Sequence, residues 1–209
     1  MATIKGMHAE LIAAQIRKAM KNKGYAFFES GKYNVNIIGV RNESRRANKF
    51  DDMVLVLYKN SSKEWEVFSA PMTTDPGWTY LKDASKRYGG RGTAILVADQ
   101  YRGTYKIDTH VSYEALCQRL GDVSVYRDST KDMNLDFDKS TIVTGKFGIN
   151  IHRARSSGDT PSVGAYSAGC QVFKNATDFK SFMSLINKSA KYWGNSFTYT
   201  LLDESDLNN

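Results

Sequence analysis

Short stretches in which apolar and polar residues alternate recur along most of the chain, and they constrain its fold more than any other feature. Tyr33, Val35 and Ile37 alternate with asparagines, which is the period of a half-buried β-strand. The apolar run 54–58 is followed by a polar turn and by a further alternating stretch from Trp65, which predicts a β-hairpin. Further strands are predicted at 93–98, 105–107, 123–126 and 197–202.

Other segments have the spacing of helices instead. Residues 7–22 carry apolar side chains three and four positions apart, which predicts an amphipathic helix. A second such segment begins after Asn175, a residue that can cap a helix N-terminus. The shorter stretch 112–120 also predicts a helix, in which Cys117 is a buried small hydrophobe.

Together these segments predict an α+β fold in which strands dominate. The 209 residues are enough for one substantial domain. We expect a single domain, 1–209, built on a mainly antiparallel sheet or barrel, with residues 1–30 as an N-terminal helical extension. The helix that begins after Asn175 is the one expected after the second cysteine, Cys170.

The chain is basic, and its charge bears on its partners. The formal net charge of +7 favours polyanionic partners such as nucleic acid, anionic lipid or the acidic polymers of a bacterial wall. The basic residues are scattered and form no nucleic-acid-binding motif, so nucleic acid is not predicted as a partner. Residues 1–22 lack the apolar core of a secretory signal, and no stretch approaches the roughly 20 apolar residues of a membrane span. We therefore expect a protein made in the cytoplasm that does not insert into membranes.

The stretch 147–173 carries the residues with the clearest chemistry. Its apolar residues alternate with small or polar ones up to His152, so a strand here places His152 on the polar side of the sheet. A loop, 153–166, then leads to residues 167–170, which read SAGC.

Cys170 is the candidate nucleophile. The glycine before it lets the backbone approach a ligand closely, and backbone N–H groups beside such a cysteine can stabilise an oxyanion. A thiol nucleophile also needs a base, for which His152 is the candidate. Two plainer interpretations stay open: a buried cysteine at the start of a strand and an ordinary surface histidine. Every histidine precedes Cys170, which is opposite to the order in papain-like peptidases.

The order and spacing of these residues resemble the L,D-transpeptidases with a YkuD-type catalytic domain. The motif of that family is a histidine that ends a strand, a variable loop, and then S-x-G-C. The matching positions are His152, Ser167, Gly169 and Cys170. The phrases GINIHRA and SAGCQVF are also similar to a group of phage- and prophage-encoded proteins thought to be cell-wall hydrolases.

The resemblance implies two-step acyl transfer on the stem peptides of peptidoglycan. Cys170, with His152 as its base, would attack a stem-peptide carbonyl, while backbone N–H groups near Gly169 and Cys170 stabilise the oxyanion. Ser167 would orient the loop or the histidine. The acyl group would then pass to water or to an amine, and the reaction requires no cofactor.

Three positions depart from the family motif. Arg153 stands where a glycine usually follows the histidine, Ala168 replaces a second histidine, and the arginine two residues after the cysteine is missing. In the family that arginine helps to hold the active site and the substrate. We expect Arg153 or Arg155 to supply the positive charge, and Gln171 and Asn150 to complete the substrate contacts.

Other candidate sites have alternative interpretations. His110 ends a predicted strand and either approaches the site as a second histidine or has a structural role, which is favoured. Zinc bound by His110, His152 and Cys170 lacks a short-spaced pair of ligands, so no metal is predicted. The four aspartates of 128–138 form either a calcium loop or a solvated acidic turn, and Met133 at the position of the central glycine favours the turn.

The sequence therefore predicts a phage-type cell-wall hydrolase or an L,D-transpeptidase or carboxypeptidase. Such a protein would act at the cell wall or in the periplasm, either released by lysis or associated with a virion. The alternative is a non-catalytic virion protein or wall-binding protein on the same scaffold.

Overall fold

A closed barrel of eight strands is the centre of the computed structural model, which describes residues 2–83 and 91–208. The elements in these ranges are, in chain order, β1 (Ala2–Lys5), α1 (Met7–Asn22), β2 (Asn36–Arg41), β3 (Asp52–Lys59), β4 (Trp65–Thr73), α2 (Trp78–Leu81), β5 (Thr93–Leu96), β6 (Gln100–His110), β7 (Tyr113–Gln118), β8 (Val123–Asp128), β9 (Val143–Gly145), β10 (Ile151–Arg153), β11 (Gln171–Phe173), α3 (Ala176–Trp193) and β12 (Phe197–Asp203). Two 3₁₀ turns, Lys139–Thr141 and Glu204–Asn208, complete the set.

The barrel strands follow the order β4-β11-β10-β7-β6-β12-β2-β3, and pairing of β3 with β4 closes the ring. Most neighbours are antiparallel, but β10 with β11 and β2 with β12 are parallel. The pair β10 and β11 matters most here, because a parallel pair requires a long connection, and that connection returns Cys170 to the strand that carries His152. The strand β1 extends the sheet beside β4, and β5, β8 and β9 form a separate small sheet.

Two clusters of buried apolar side chains pack on the two faces of the barrel sheet. The larger cluster joins the inner faces of the barrel strands to α3, whose Phe182 ring lies 4.9 Å from that of Phe173. The smaller cluster lies between α1 and the opposite face of the sheet, where Ile16 and Met20 pack with Ile38 and other buried side chains. The helices α1 and α3 thus each cover apolar sheet surface with the apolar face that the sequence predicts.

The fold class is confirmed at the level of a mixed α and β chain with a mainly antiparallel sheet that closes as a barrel. The predicted helix at 7–22 is α1, and Asn175 caps α3 by accepting the N–H groups of Thr177 and Asp178. The predicted hairpin is β3 with β4. No helix of the described residues is both long and apolar enough to cross a membrane.

The helix predicted at 112–120 is wrong. This segment is largely strand β7, which pairs with β6 on one side and β10 on the other. Cys117 is fully buried there, as expected, but it packs within a sheet. The short apolar run Ala115–Leu116–Cys117 does not distinguish a helix from a buried strand, and pairing on both sides decides for the strand.

Candidate active site

Two adjacent parallel strands bring His152 and Cys170 to the same cavity. The register pairs Ile151 with Gln171 and His152 with Val172, so Cys170 lies just before β11 beside the start of β10. The N–H of Gln171 donates to the carbonyl of Asn150 at 2.9 Å and fixes this alignment. Side chains of both Cys170 and His152 line a cavity of about 480 Å³. The structure thus brings together the two residues that 18 positions separate in the sequence.

His152 is held as a neutral base. Its side chain is only 5% exposed, and its Nδ1–H donates to the carbonyl of Arg153 at 2.9 Å. Because a carbonyl oxygen only accepts, the proton of the neutral ring lies on Nδ1 and the lone pair on Nε2. Burial first, and then the neighbouring His110, lower the pKa of His152 to about 4, against the opposing effect of the Arg153 carbonyl. At neutral pH, Nε2 is therefore ready to accept a proton.

We expect the imidazole of His152 to titrate near pH 4 in the folded protein. NMR of histidine-labelled protein measures this directly, and the denatured chain, in which histidines titrate near about 6.5, is the control. Because the folded-state pKa is the lower of the two, the neutral ring stabilises the fold above about pH 6.5, and roughly 3 kcal/mol of that stability is lost as the pH falls to about 4. A folded-state midpoint at the denatured value would contradict this assignment.

Cys170 is the accessible thiol of the two. It is partly exposed and donates to the carbonyl of Gly148 at 3.4 Å. Cys117 is fully buried, burial raises its pKa, and neither cysteine is in a disulfide. A buried thiol with a raised pKa is chemically inert, so reactivity is expected at Cys170.

The turn that presents Cys170 is built by Ser167 and Gly169. Ser167 is fully buried; its hydroxyl donates to the carbonyl of Cys170 at 2.8 Å and accepts the N–H of Gly169 at 3.1 Å. Gly169 has φ +119°, and a Cβ there would lie 2.6 Å from the carbonyl oxygen of Ala94. Ser167 therefore orients the loop, as expected. The N–H of Gly169 is already hydrogen-bonded to Ser167, which disfavours it as an oxyanion donor. The expectation of an oxyanion donor at Cys170 stays a prediction.

The predicted substrate contact by Gln171 is also wrong. Gln171 is fully buried, and its Nε2 donates to the carbonyls of Thr74 and Gly169 at 3.2 and 3.3 Å. Its Oε1 accepts the hydroxyl of Tyr199 at 2.8 Å. The alternation along β11 turns this side chain to the inside of the barrel, because it shares the face of Phe173 and not that of Cys170.

Replacement of Gln171 by methionine is expected to lower the free energy of unfolding by about 1–3 kcal/mol, because the hydroxyl of Tyr199 loses its buried acceptor. Urea unfolding measures this loss. Tyr199→Phe alone and together with Gln171→Met completes a double-mutant cycle, in which the double variant should lose less than the sum of the single losses. Unchanged stability of Gln171→Met, with weaker substrate binding, would instead support the substrate contact.

The predicted substrate contact by Asn150 is wrong as well. It is 5% exposed, and both ends of its amide contact protein: Oδ1 accepts the N–H of Gln118 at 2.9 Å, and Nδ2 contacts Nδ1 of His110 at 3.1 Å. These contacts leave Asn150 off the lining of the cavity. Its amide connects β7 to His110 and does not line the cavity.

Of the two predicted arginines, the structure places one at the site. Arg153 lines the cavity, and its guanidinium carbon lies 4.1 Å from the ring centroid of Tyr113. The hydroxyl of Tyr113 also donates to the carbonyl of Arg153 at 3.4 Å. Arg155 is exposed and does not line the cavity, so Arg153 alone supplies positive charge to it from this loop.

His110 is the site residue that the sequence did not assign. Its ring stacks on that of His152, with centroids 4.2 Å apart and planes 21° apart. His110 ends β6, and only the hairpin of β6 with β7, followed by pairing of β7 with β10, brings it to His152. Its place at the end of a predicted strand was the single available signal.

Metal ligation finds no support among the described residues, where no group of three or more His, Cys, Asp or Glu side chains is placed to hold an ion. The acidic segment 128–138 is folded on itself. Asp128 is 1% exposed and accepts the N–H groups of Thr130 and Asp136 at 3.0 Å each. The prediction of a solvated turn is therefore wrong for Asp128. Its buried carboxylate holds the segment together by accepting backbone N–H groups from it.

A second cavity, of about 470 Å³, lies between the end of β2 and the segment that contains Phe137. The described residues that line it include Arg41, Arg45 and Asp203 but neither a cysteine nor a histidine. It therefore lacks the pairing of a thiol with an imidazole that the first cavity has.

Comparisons of the chain with family models, with curated proteins and with solved structures find no match.

Proposed function

We propose that this chain is a cysteine-dependent acyl-transfer enzyme that acts on the stem peptides of peptidoglycan, with Cys170 as the nucleophile and His152 as the general base. One observation carries the proposal: an accessible thiol and a neutral imidazole with an unprotonated Nε2 line the same cavity from adjacent strands. Nucleophilic catalysis needs a base near the nucleophile and a third group that orients the base, and the Arg153 carbonyl is such a group for His152.

In the first step, the thiol proton leaves its contact with Gly148 and moves to Nε2 of His152, while sulfur bonds to the carbonyl carbon. The tetrahedral intermediate then expels the amine, which takes the proton from His152 as the carbon–nitrogen bond breaks. A thioester on Cys170 remains. In the second step, water or an acceptor amine attacks the thioester while His152 takes a proton from this attacking group. The carbon–sulfur bond then breaks, and the sulfur of Cys170 recovers that proton from His152.

The low pKa of His152 shapes this chemistry. Since burial disfavours imidazolium, the resting site holds His152 as a neutral ring. Proton transfer then accompanies attack. We expect kcat/KM to fall on the acid side only as the pH drops through about 4, where His152 becomes protonated and can no longer act as the base.

The proposed substrate class rests on the likeness of His152, Ser167, Gly169 and Cys170 to the YkuD-type motif, together with the chemistry of the cavity. Arg153 offers a positive charge to a peptide carboxylate, and tyrosines 80, 113 and 166 offer apolar ring surface to its side chains. The net charge of +7 suits an acidic wall. Hydrolysis, as in a phage lytic enzyme, is proposed ahead of cross-linking, since the motif arginine of the cross-linking enzymes is missing.

A second candidate function is a non-catalytic virion or wall-binding protein. The missing arginine and the commitment of the Gly169 N–H to Ser167 favour it, because each removes a stabilising group of the catalytic motif. Thiol reactivity distinguishes the two. In an enzyme, iodoacetamide alkylates Cys170 much faster than Cys117; in a scaffold, both react slowly.

The test of the proposed function is mass spectrometry of purified muropeptides incubated with the protein. The loss of a terminal residue from the stem peptide identifies hydrolysis, and the appearance of dimers identifies cross-linking. Muropeptides of unchanged mass, together with slow alkylation of Cys170, would support the wall-binding function instead.

A further inference from the structure

The ring of His110 forms one wall of the environment of His152. His110 is half-buried and stacks on His152 at 4.2 Å, while Tyr113 contacts the His110 ring edge-on at 5.6 Å. A stacked partner limits rotation of the imidazole about its last side-chain bond. The direction in which Nε2 of His152 points therefore depends on His110 as well as on the Arg153 carbonyl.

The protonation of His110 is set by Asn150. The Oδ1 atom of Asn150 accepts the backbone N–H of Gln118, so its Nδ2 must face Nδ1 of His110. The amide hydrogen then donates to Nδ1, and the proton of a neutral His110 ring lies on Nε2. A second proton on His110 would set N–H against N–H in a partly buried contact, which is unfavourable.

The charges around the two rings act in the same direction. Burial and then the charge of Arg119 lower the pKa of His110, and the charge of Arg153 also lowers that of His152. Besides the two histidines and Arg153, the titratable side chains that line the cavity are Tyr80, Tyr113, Tyr166 and Cys170. No carboxylate of the described residues lines this cavity to favour an imidazolium.

We propose that His110 is a positioning residue for the base: Asn150 holds it as the neutral Nε2–H tautomer, and its stacked ring sets the plane of His152 while it keeps positive charge away from Nε2. This inference deepens the proposed function and rests on His152 as the general base. It assigns a role to Gln118, Asn150 and His110 as one hydrogen-bonded connection from β7 to the site.

Nitrogen-15 NMR of histidine-labelled protein at neutral pH tests the arrangement without any substrate. In the wild type, His110 should carry its proton on Nε2 and His152 on Nδ1. In Asn150→Asp, the carboxylate keeps the Gln118 contact but presents an acceptor to His110, so Nδ1 gains a proton and the His110 midpoint rises by about one pH unit or more. An unchanged tautomer and midpoint of His110 in this variant would overturn the proposal.

Turnover of muropeptides then tests the consequence. The kcat of Asn150→Asp should fall a few-fold at pH 7, with little change in KM, and recover above the new midpoint of His110. His110→Ala should lose a similar factor at every pH, whereas His110→Phe restores a stacked ring that cannot titrate and should recover most of kcat. These two variants also carry the test if Asn150→Asp does not fold.

The outcomes separate the two proposals. If His110→Ala leaves both the NMR signals of His152 and kcat as in the wild type, the positioning role is wrong. If the tautomers and their changes are as expected but the wild type converts no muropeptide, the arrangement of the rings is supported and the proposed function fails.

Discussion

Replacement of Cys170 by alanine is expected to reduce muropeptide conversion by roughly 10⁴-fold or more, to the background of the assay. The reason is covalent: without sulfur there is no thioester, and the neutral His152 that remains has only water to activate. The fold should persist, because Cys170 is partly exposed and a thiol is a weak hydrogen-bond donor. Product analysis by mass spectrometry measures the loss, and urea unfolding confirms the fold.

Cys117→Ala is the matched control for that experiment. Cys117 is fully buried on strand β7, so the substitution removes a thiol from the core and not from the cavity. It should cost about 1–2 kcal/mol of stability and leave kcat within a few-fold of the wild type. If Cys170→Ala retains turnover and Cys117→Ala loses it, the proposed assignment of the nucleophile to Cys170 is wrong.

Gly169→Ala is expected to have the largest effect on stability, about 3 kcal/mol or more. At φ +119° a side chain is strained, and the added Cβ would lie 2.6 Å from the backbone oxygen of Ala94. Backbone atoms on the buried strand β5 cannot move aside as the end of a flexible side chain can. The turn that presents Cys170 must then shift, so activity is expected to be lost with stability.

The control for this substitution is Gly158→Ala. Gly158 also has a positive φ, +65°, but nothing lies within 4 Å of an added Cβ. Its expected cost is only the backbone strain of about 1–2 kcal/mol, with activity retained. Denaturant unfolding measures the loss of stability in both variants. Equal losses would mean that the close approach of Gly169 to Ala94 adds nothing to the cost of the substitution.

The sequence predicts best where local pattern and packing agree. The apolar stripe of α1 and the cap of α3 at Asn175 are local signals, and both helices lie where they predict. At 112–120 local pattern is ambiguous: three consecutive buried residues, which end at Cys117, fit either element. Pairing with two distant strands decided the structure, and no local signal reports such pairing.

The residues of the candidate site were recognisable in the sequence, but their arrangement was not. The pair His152 and Cys170 was recognisable from residue type and order. Which face Gln171 occupies was not, because it follows from the parallel register of β11 on β10. The stack of His110 on His152 depends on a hairpin and on the amide of Asn150, which joins residues 40 positions apart.

The central claim, a thioester at Cys170, is tested most directly by intact-mass spectrometry of the protein after rapid acid quench during turnover of muropeptides. Acid preserves a thioester, so the protein should gain the mass of the acyl part of the stem peptide. Peptide mapping should place that mass on the peptide that contains Cys170. An acyl group on any other residue, or product formation with no protein-bound acyl group at any quench time, would contradict the account.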